Sequence, residues 1–286
     1  MFPSLPLILD GATGTELNRR GIETGLPMWS ANALTSDHGL ATLRQIHLDY
    51  LEAGANILTT NTFRTKRRAL AGQGYDARAL TQRAVATAHE AVTQFGQTAY
   101  VAGSIAPLED CYEPQLTPPD AECRAEHSEL IHHLLEAEVD FLLIETMPTI
   151  REAVIAAKLA TLTGRPTLVS FVCDLEGRIL SGESLTAAAD ILLPLGIAAL
   201  GVNCGPTPTL ARPLAELRAA VGPNFPLMGY GNIGYADAEQ GWINTDAVEP
   251  DSYANYAKDW PVQIVGGCCG TTPEHIRHLR SKLGPL

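Results

Sequence analysis

The sequence predicts a single (β/α)8 barrel of the TIM type spanning residues 1–286. Three observations predict it. Short apolar runs alternate along the chain with longer stretches of helical periodicity. The runs are continuously apolar rather than alternating, as parallel strands covered on both faces should be. Polar residues gather where the runs end, and the C-terminal strand ends are where such barrels carry their sites. A chain of this length fits one such barrel, and no linker, repeat or low-complexity segment divides it.

The first run, Leu7-Asp10, leads into a long connection from Gly11 to His38. A helical face of Leu43, Ile46, Tyr50 and Leu51 follows. The second run is Ala55–Thr62, followed by an alanine-rich stretch from Ala77 to Val92 without Pro or Gly. Run three, Ala99–Pro107, opens into a connection from Leu108 to Asp120 and a helix over Glu122–Glu138. Run four, Asp140–Met147, precedes a helix over Ile150–Leu162. Runs five and six are Pro166–Cys173 and Ala199–Gly205, the latter followed by a helix over Leu210–Val221. Run seven, Pro226–Asn232, opens into the connection Ile233–Asp251. Run eight, Val262–Gly270, precedes a helix over Glu274–Lys282, with Thr272 as cap and Pro273 in the first turn. The three long connections all follow strands and so cover the C-terminal mouth, and long loops in a compact domain are usually functional.

A formal net charge of −12 argues against nucleic acid or an anionic membrane surface as partner. The start, Met1-Phe2-Pro3-Ser4-Leu5-Pro6, has no basic segment before an apolar one, so no signal peptide is expected. The most apolar stretch, near Ile191–Val202, holds Pro194 and Gly196 and is too short to span a bilayer. The expected location is cytoplasmic. No Gly-x-Ser-x-Gly elbow, no phosphate-binding Gly-Lys-Ser/Thr loop and no His-x-His after the first strand occurs.

The most informative residues are three cysteines. Cys268 and Cys269 lie in Gly266-Gly267-Cys268-Cys269-Gly270, and Cys204 in Gly201-Val202-Asn203-Cys204-Gly205. Three thiolates bind one zinc ion and leave a tetrahedral position open, as in catalytic sites. Adjacent strand residues point to opposite faces, so both cysteines of the pair reach one ion only if the strand ends there, and the flanking glycines permit that. The competing readings are buried thiols or a strained vicinal disulfide. Cys111 and Cys123 read as ordinary thiols, and Cys173, at a strand end, is the rival ligand. His275 and His278 read as solvated, and His47 as a partly buried helix residue.

Strands two, four, six and eight share parity, so Asn61 or Thr62, Glu145, Cys204 and the cysteine pair are expected to converge. Glu145 follows Phe141-Leu142-Leu143-Ile144; it either pairs with an Arg or caps the next helix, or enters the mouth and binds an ammonium group. Asp10 belongs either to an Asp-Gly turn or to the same site. Trp29 is either an anchor of the first connection or a ring that offers its face to a cation.

At these residues the chain resembles the homocysteine S-methyltransferase family, which includes betaine- and S-methylmethionine-dependent enzymes and the homocysteine domain of cobalamin-dependent methionine synthase. Asp10-Gly11-Ala12-Thr13-Gly14-Thr15-Glu16-Leu17, Thr60-Asn61-Thr62-Phe63, Glu145-Thr146, Gly201-Val202-Asn203-Cys204 and Gly266-Gly267-Cys268-Cys269-Gly270 carry the resemblance across essentially the whole chain. It implies a zinc (Zn2+) barrel with Cys204, Cys268 and Cys269 as ligands, Asp10 and Glu145 on the homocysteine amino group, and Asn61-Thr62 in the substrate site. Thr60-Asn61-Thr62-Phe63 resembles the cobalamin-dependent branch. Met28-Trp29-Ser30-Ala31 and Gly231-Asn232-Ile233-Gly234 resemble the S-methylmethionine branch, which implicates Trp29 and Asn232 on the donor side. The expected reaction is methyl transfer to homocysteine, giving methionine. The alternatives are an acceptor domain serving a separate methylcorrinoid protein, a redox protein with Cys268-Cys269 as a vicinal dithiol, and a barrel whose zinc is structural.

Overall fold

The computed structural model describes residues 6–237 and 241–284. Eight parallel strands form the barrel: β1 (Leu7–Ile8), β2 (Ile57–Thr59), β3 (Tyr100–Ile105), β4 (Phe141–Met147), β5 (Thr167–Phe171), β6 (Ala199–Pro206), β7 (Leu227–Asn232) and, after a two-stranded hairpin of β8 (Gly234–Asp237) and β9 (Gly241–Asn244), β10 (Ile264–Gly267). The strands pair in the order β1-β10-β7-β6-β5-β4-β3-β2. A parallel bridge between Leu9 and Ile57 closes the ring, with Asn56 N–H donating to the Ile8 carbonyl at 2.8 Å and Asp10 N–H to the Ile57 carbonyl at 3.0 Å.

Two apolar layers explain why the strand sequences look uniformly apolar. Leu7, Leu9, Ile57, Ala102, Phe141, Leu143, Leu168, Ala199, Met228, Tyr230 and Ile264 fill the barrel interior. The alternate residues, including Ile8, Leu58, Leu142, Ile144, Val169, Leu200 and Val265, pack outward against the helices. The inward series of β3, β4, β5 and β6 are apolar at the bottom and polar at the top, where Ser104, Glu145, Ser170 and Asn203 continue the parity of Ala102, Leu143, Leu168 and Ala199.

The helices are α1 (Gly14–Arg19), α2 (Asp37–Glu52), α3 (Ala77–Phe95), α4 (Asp120–Glu136), α5 (Ile150–Thr161), α6 (Leu185–Leu192), α7 (Ala211–Val221), α8 (Pro250–Ala257) and α9 (Pro273–Leu283). Their starts follow capping chemistry. Ser36, Asp76, Thr149 and Ser184 each accept a hydrogen bond from an N–H of the first turn.

Several expectations change. Helices α6 and α8 carry signals the sequence reading passed over, a Ser184 cap and Pro250 in the first turn. The connection after the seventh strand is a hairpin rather than a plain loop. The second strand stops at Thr59, because Thr62 N–H turns back to the Thr60 carbonyl at 2.7 Å. His275 is not solvated: it is buried and completes the α9 capping box, with Nδ1 at 3.2 Å from Thr272 N. His47 is wholly buried, and neither ring nitrogen has a partner.

Candidate active site

The mouth of the barrel holds a cavity of about 360 Å³, within the range of small-ligand sites. Its lining brings together Asp10, Trp29, Asn61, Glu145, Cys204, Cys268 and Cys269 from the predicted set. Thr62 and Asn232 do not reach it. Thr62 is fully buried in the wall, its hydroxyl donating to the Ser104 carbonyl at 2.7 Å. Asn232 stands behind the cysteines.

The three sulfurs all lie within 4.8 Å of one another, with Cys204 Sγ and Cys269 Sγ 3.9 Å apart. Tetrahedral zinc with bonds of about 2.3 Å sets its sulfurs roughly 3.8 Å apart, so the cluster fits the ion with little adjustment. Local backbone shape produces this convergence. Cys204 should face outward, since Asn203 faces in. A positive φ of 60° at Cys204 and a register shift in the β6–β7 pairing turn it to the mouth. Cys268 keeps the inward parity of Ile264 and Gly266, while Cys269 lies past the end of β10. Gly270 then takes φ of +83°, and a side chain there would collide with Ile233.

The thiols act on one another. Hydrogen bonds from Cys268, then Cys269, and from the Tyr112 hydroxyl hold Cys204 well below the ordinary thiol range, while the same cluster pushes Cys268 and Cys269 up. Cys173 is not in the group; it bridges Ile179. Cys111, read as an ordinary thiol, lines the cavity.

Beside the cysteines lie two buried carboxylates. Burial pushes Asp10 up to about 8, and the Glu145 charge adds to this, against hydrogen bonds from Thr59, whose N–H donates at 2.9 Å, and from its own backbone. Burial likewise pushes Glu145 up to about 7. Glu145 is held by Ser104 Oγ at 2.5 Å and Tyr230 OH at 3.1 Å. The network continues from Tyr230 through Ser170 to Asn203, with both bonds 2.8 Å. Asn203 in turn clasps Thr146, accepting from its N–H at 2.9 Å and donating to its hydroxyl at 2.8 Å. Thr146 also has φ of 60°, at a register shift between β4 and β5. Left-handed non-glycine residues on two barrel strands, tied by one amide, mark the site as strained.

Trp29 opens a 3-10 helix (Trp29–Thr35) with φ of 47°. Its ring meets Phe63 edge-on, with centroids 5.8 Å apart, and lies where a side chain at Gly14 would collide with it. Asn61 faces the cavity, but its amide donates to the Ser30 carbonyl at 2.9 Å, so it also pins the first connection. The sequence reading missed Tyr112, Tyr230 and Arg64 in the lining. Parity on β7 signals Tyr230 alone; the other two depend on how loops fold over the mouth.

A barrel whose mouth gathers three thiols beside two buried carboxylates has the donor set for a thiophilic metal next to a cationic substrate group. The chain belongs to the homocysteine S-methyltransferase family: the sequence model of that name matches residues 7–283. It is similar to homocysteine S-methyltransferase of Escherichia coli, 30% identical over 96% of this chain and 94% of that one. It also matches methionine synthase of Mycobacterium tuberculosis, 29% identical over 98% of this chain and 25% of that one. Among solved structures, the metallated form of the E. coli homocysteine methyltransferase MmuM superposes with a TM-score of 0.82 at 28% identity, covering 96% of each chain. No described helix is long and apolar enough to cross a membrane.

Proposed function

We propose that this protein transfers a methyl group to the sulfur of homocysteine, forming methionine, with zinc held by Cys204, Cys268 and Cys269. The proposed donor is a small onium, S-methylmethionine first among them. One observation carries the reading above all: three thiols at zinc-ligand separation share a cavity with two buried carboxylates.

When bound, zinc supplies a positive centre that keeps a substrate thiol ionised near neutral pH. The protein's own groups do the rest. Asp10 and Glu145 receive the homocysteine ammonium, which returns both carboxyls to their charged form. Ser104 and Tyr230 fix Glu145, so the amino acid enters in one orientation. Trp29 and Phe63 wall the cavity and exclude water from the onium. The sulfur attacks the donor methyl carbon as the carbon–sulfonium bond breaks, and that electron pair leaves with the donor sulfur. From S-methylmethionine both products are methionine. Holding thiolate and methyl in line is worth on the order of 7–11 kcal/mol.

The test is metal content and methionine formation on one purified sample. Zinc near one per chain and turnover on S-methylmethionine are expected. Cys268→Ala should lose both; a zinc-free but active variant overturns the mechanism. A second reading has the barrel receive its methyl group from a separate methylcorrinoid protein, which the match to a quarter of a methionine synthase favours. Zinc with no turnover on any small onium would select it.

A further inference from the structure

Arg64 is the one cavity-lining cation among the described residues. Its neighbours in sequence are all engaged. Lys66 donates to the Pro107 carbonyl, Arg67 pairs with Glu129 at 3.1 Å, and Arg68 pairs with Glu126 at 2.6 Å and with Glu109 and Glu122. Arg64 forms no ion pair or hydrogen bond among the described residues, and its Nε is buried without a partner. A buried donor left unsatisfied costs on the order of 1–3 kcal/mol, more when charged, so the arrangement is one that a ligand completes.

Asp10 and Glu145 make the acidic side of the cavity, beside the thiols. Tyr112 OH lies 3.1 Å from Cys204 Sγ, which sets the loop of Cys111 and Tyr112 against the thiols. Arg64 lines the same cavity from the connection after β2, next to Phe63. Asp110, which also lines the cavity, is exposed and accepts from Tyr112 N–H at 2.9 Å.

We propose that Arg64 is the specificity residue for the methyl donor and binds a carboxylate on it, so that the accepted donors are zwitterions joining an onium to a carboxylate. The inference rests on the methyl-transfer reading. The acceptor's ammonium occupies the acidic end, its sulfur reaches the cysteines, and the second substrate spans from the sulfur to Arg64. A guanidinium matches a carboxylate with two parallel hydrogen bonds, which fixes distance and direction as well as charge. The onium then lies along the Trp29–Phe63 wall with its methyl toward the thiols.

The experiment compares S-methylmethionine with its methyl ester, which keeps the sulfonium and loses the anion, on the zinc-loaded enzyme. The wild type should prefer the acid by about 10- to 100-fold in kcat/KM. In Arg64→Met the KM for S-methylmethionine should rise by a similar factor and the preference should collapse toward one, with the KM for homocysteine moving less than about threefold. Arg64→Lys should restore part of the preference. Equal loss on both donors, or a shift confined to homocysteine, overturns the assignment of Arg64 while leaving methyl transfer intact. A wild type that uses neither compound sinks the donor reading and the inference with it.

Discussion

Asn232 Nδ2 donates to the main-chain oxygen of Cys204 at 2.7 Å. The same amide accepts from Cys269 N–H at 3.0 Å through Oδ1, so one side chain joins the two segments that carry the sulfurs. The sequence motif suggests a donor-side contact; in the structure the side chain ties the two cysteine segments and does not line the cavity.

Asn232→Ala should therefore weaken zinc without touching substrate. Residues behind metal ligands typically matter by 10- to 100-fold in affinity, and a loss of that size is expected in competition with a chelator. Asn232→Asp keeps the acceptor and loses the donor, and should fall between. Unchanged zinc affinity with a raised homocysteine KM would return Asn232 to the substrate.

Homocysteine binding should depend on pH through the acid pair. Asp10 is pushed up to about 8 and Glu145 to about 7 in the empty cavity, and an ammonium needs both ionised. Binding then releases protons, and the KM for homocysteine should rise as pH falls from 8 to 6, with a limiting slope of about tenfold per unit between 8 and 7 and steepening toward about a hundredfold per unit below 7 as the second carboxyl protonates. Asp10→Asn should raise the KM and flatten this dependence. Its effect on stability has the opposite sign. A carboxyl whose folded pKa is raised contributes stability that is lost as pH rises from about 3.8 to about 8. The substrate-free variant should accordingly melt higher than wild type at pH 8, and a lower melting temperature would count against a buried, costly carboxylate.

His47 gives a second, separate handle on stability. Burial pushes it down to about 4 from 6.5, and no group stands ready to accept its proton. An unfolded chain binds that proton at higher pH than the folded one, so the folded state loses stability as pH falls from about 6.5 toward 4. The loss is at most roughly 1.4 kcal/mol per pH unit. His47→Leu should flatten the acid limb of a urea titration series; an unchanged limb would assign it to other groups.

The barrel was legible because each strand is apolar on both faces and the chain repeats strand and helix, a pattern local enough to read. Run four shows how far this went: Phe141-Leu142-Leu143-Ile144 announces the strand, and of the two readings left for Glu145, a structural partner or a mouth residue, the structure has it in the cavity lining. The cysteines were legible as a set for a different reason. Three thiolates make a zinc site with one position open, and the Gly-flanked pair and Cys204 stand at strand ends with the backbone freedom to meet, whereas Cys173, the rival at a strand end, lacks flanking glycines. Helices α6 and α8 were written in their caps, Ser184 and Pro250, yet lack the long periodic face that makes a helix conspicuous.

What the tertiary structure alone decided lies at positions where backbone and side chain depart from their local default. Regular parity points Cys204 away from the mouth, and only a left-handed residue at a register shift brings it in. Thr62 and Asn232 sit in motifs with Asn61 and Gly231, but hydrogen bonds to partners 42 and 28 residues away turn them into the wall. Tyr112 and Arg64 reach the cavity because loops from neighbouring strands close over it. A periodicity records which face of an element is buried, whereas contacts between residues far apart in the chain settle which polar group meets which, and the chemistry of this site is made of such contacts.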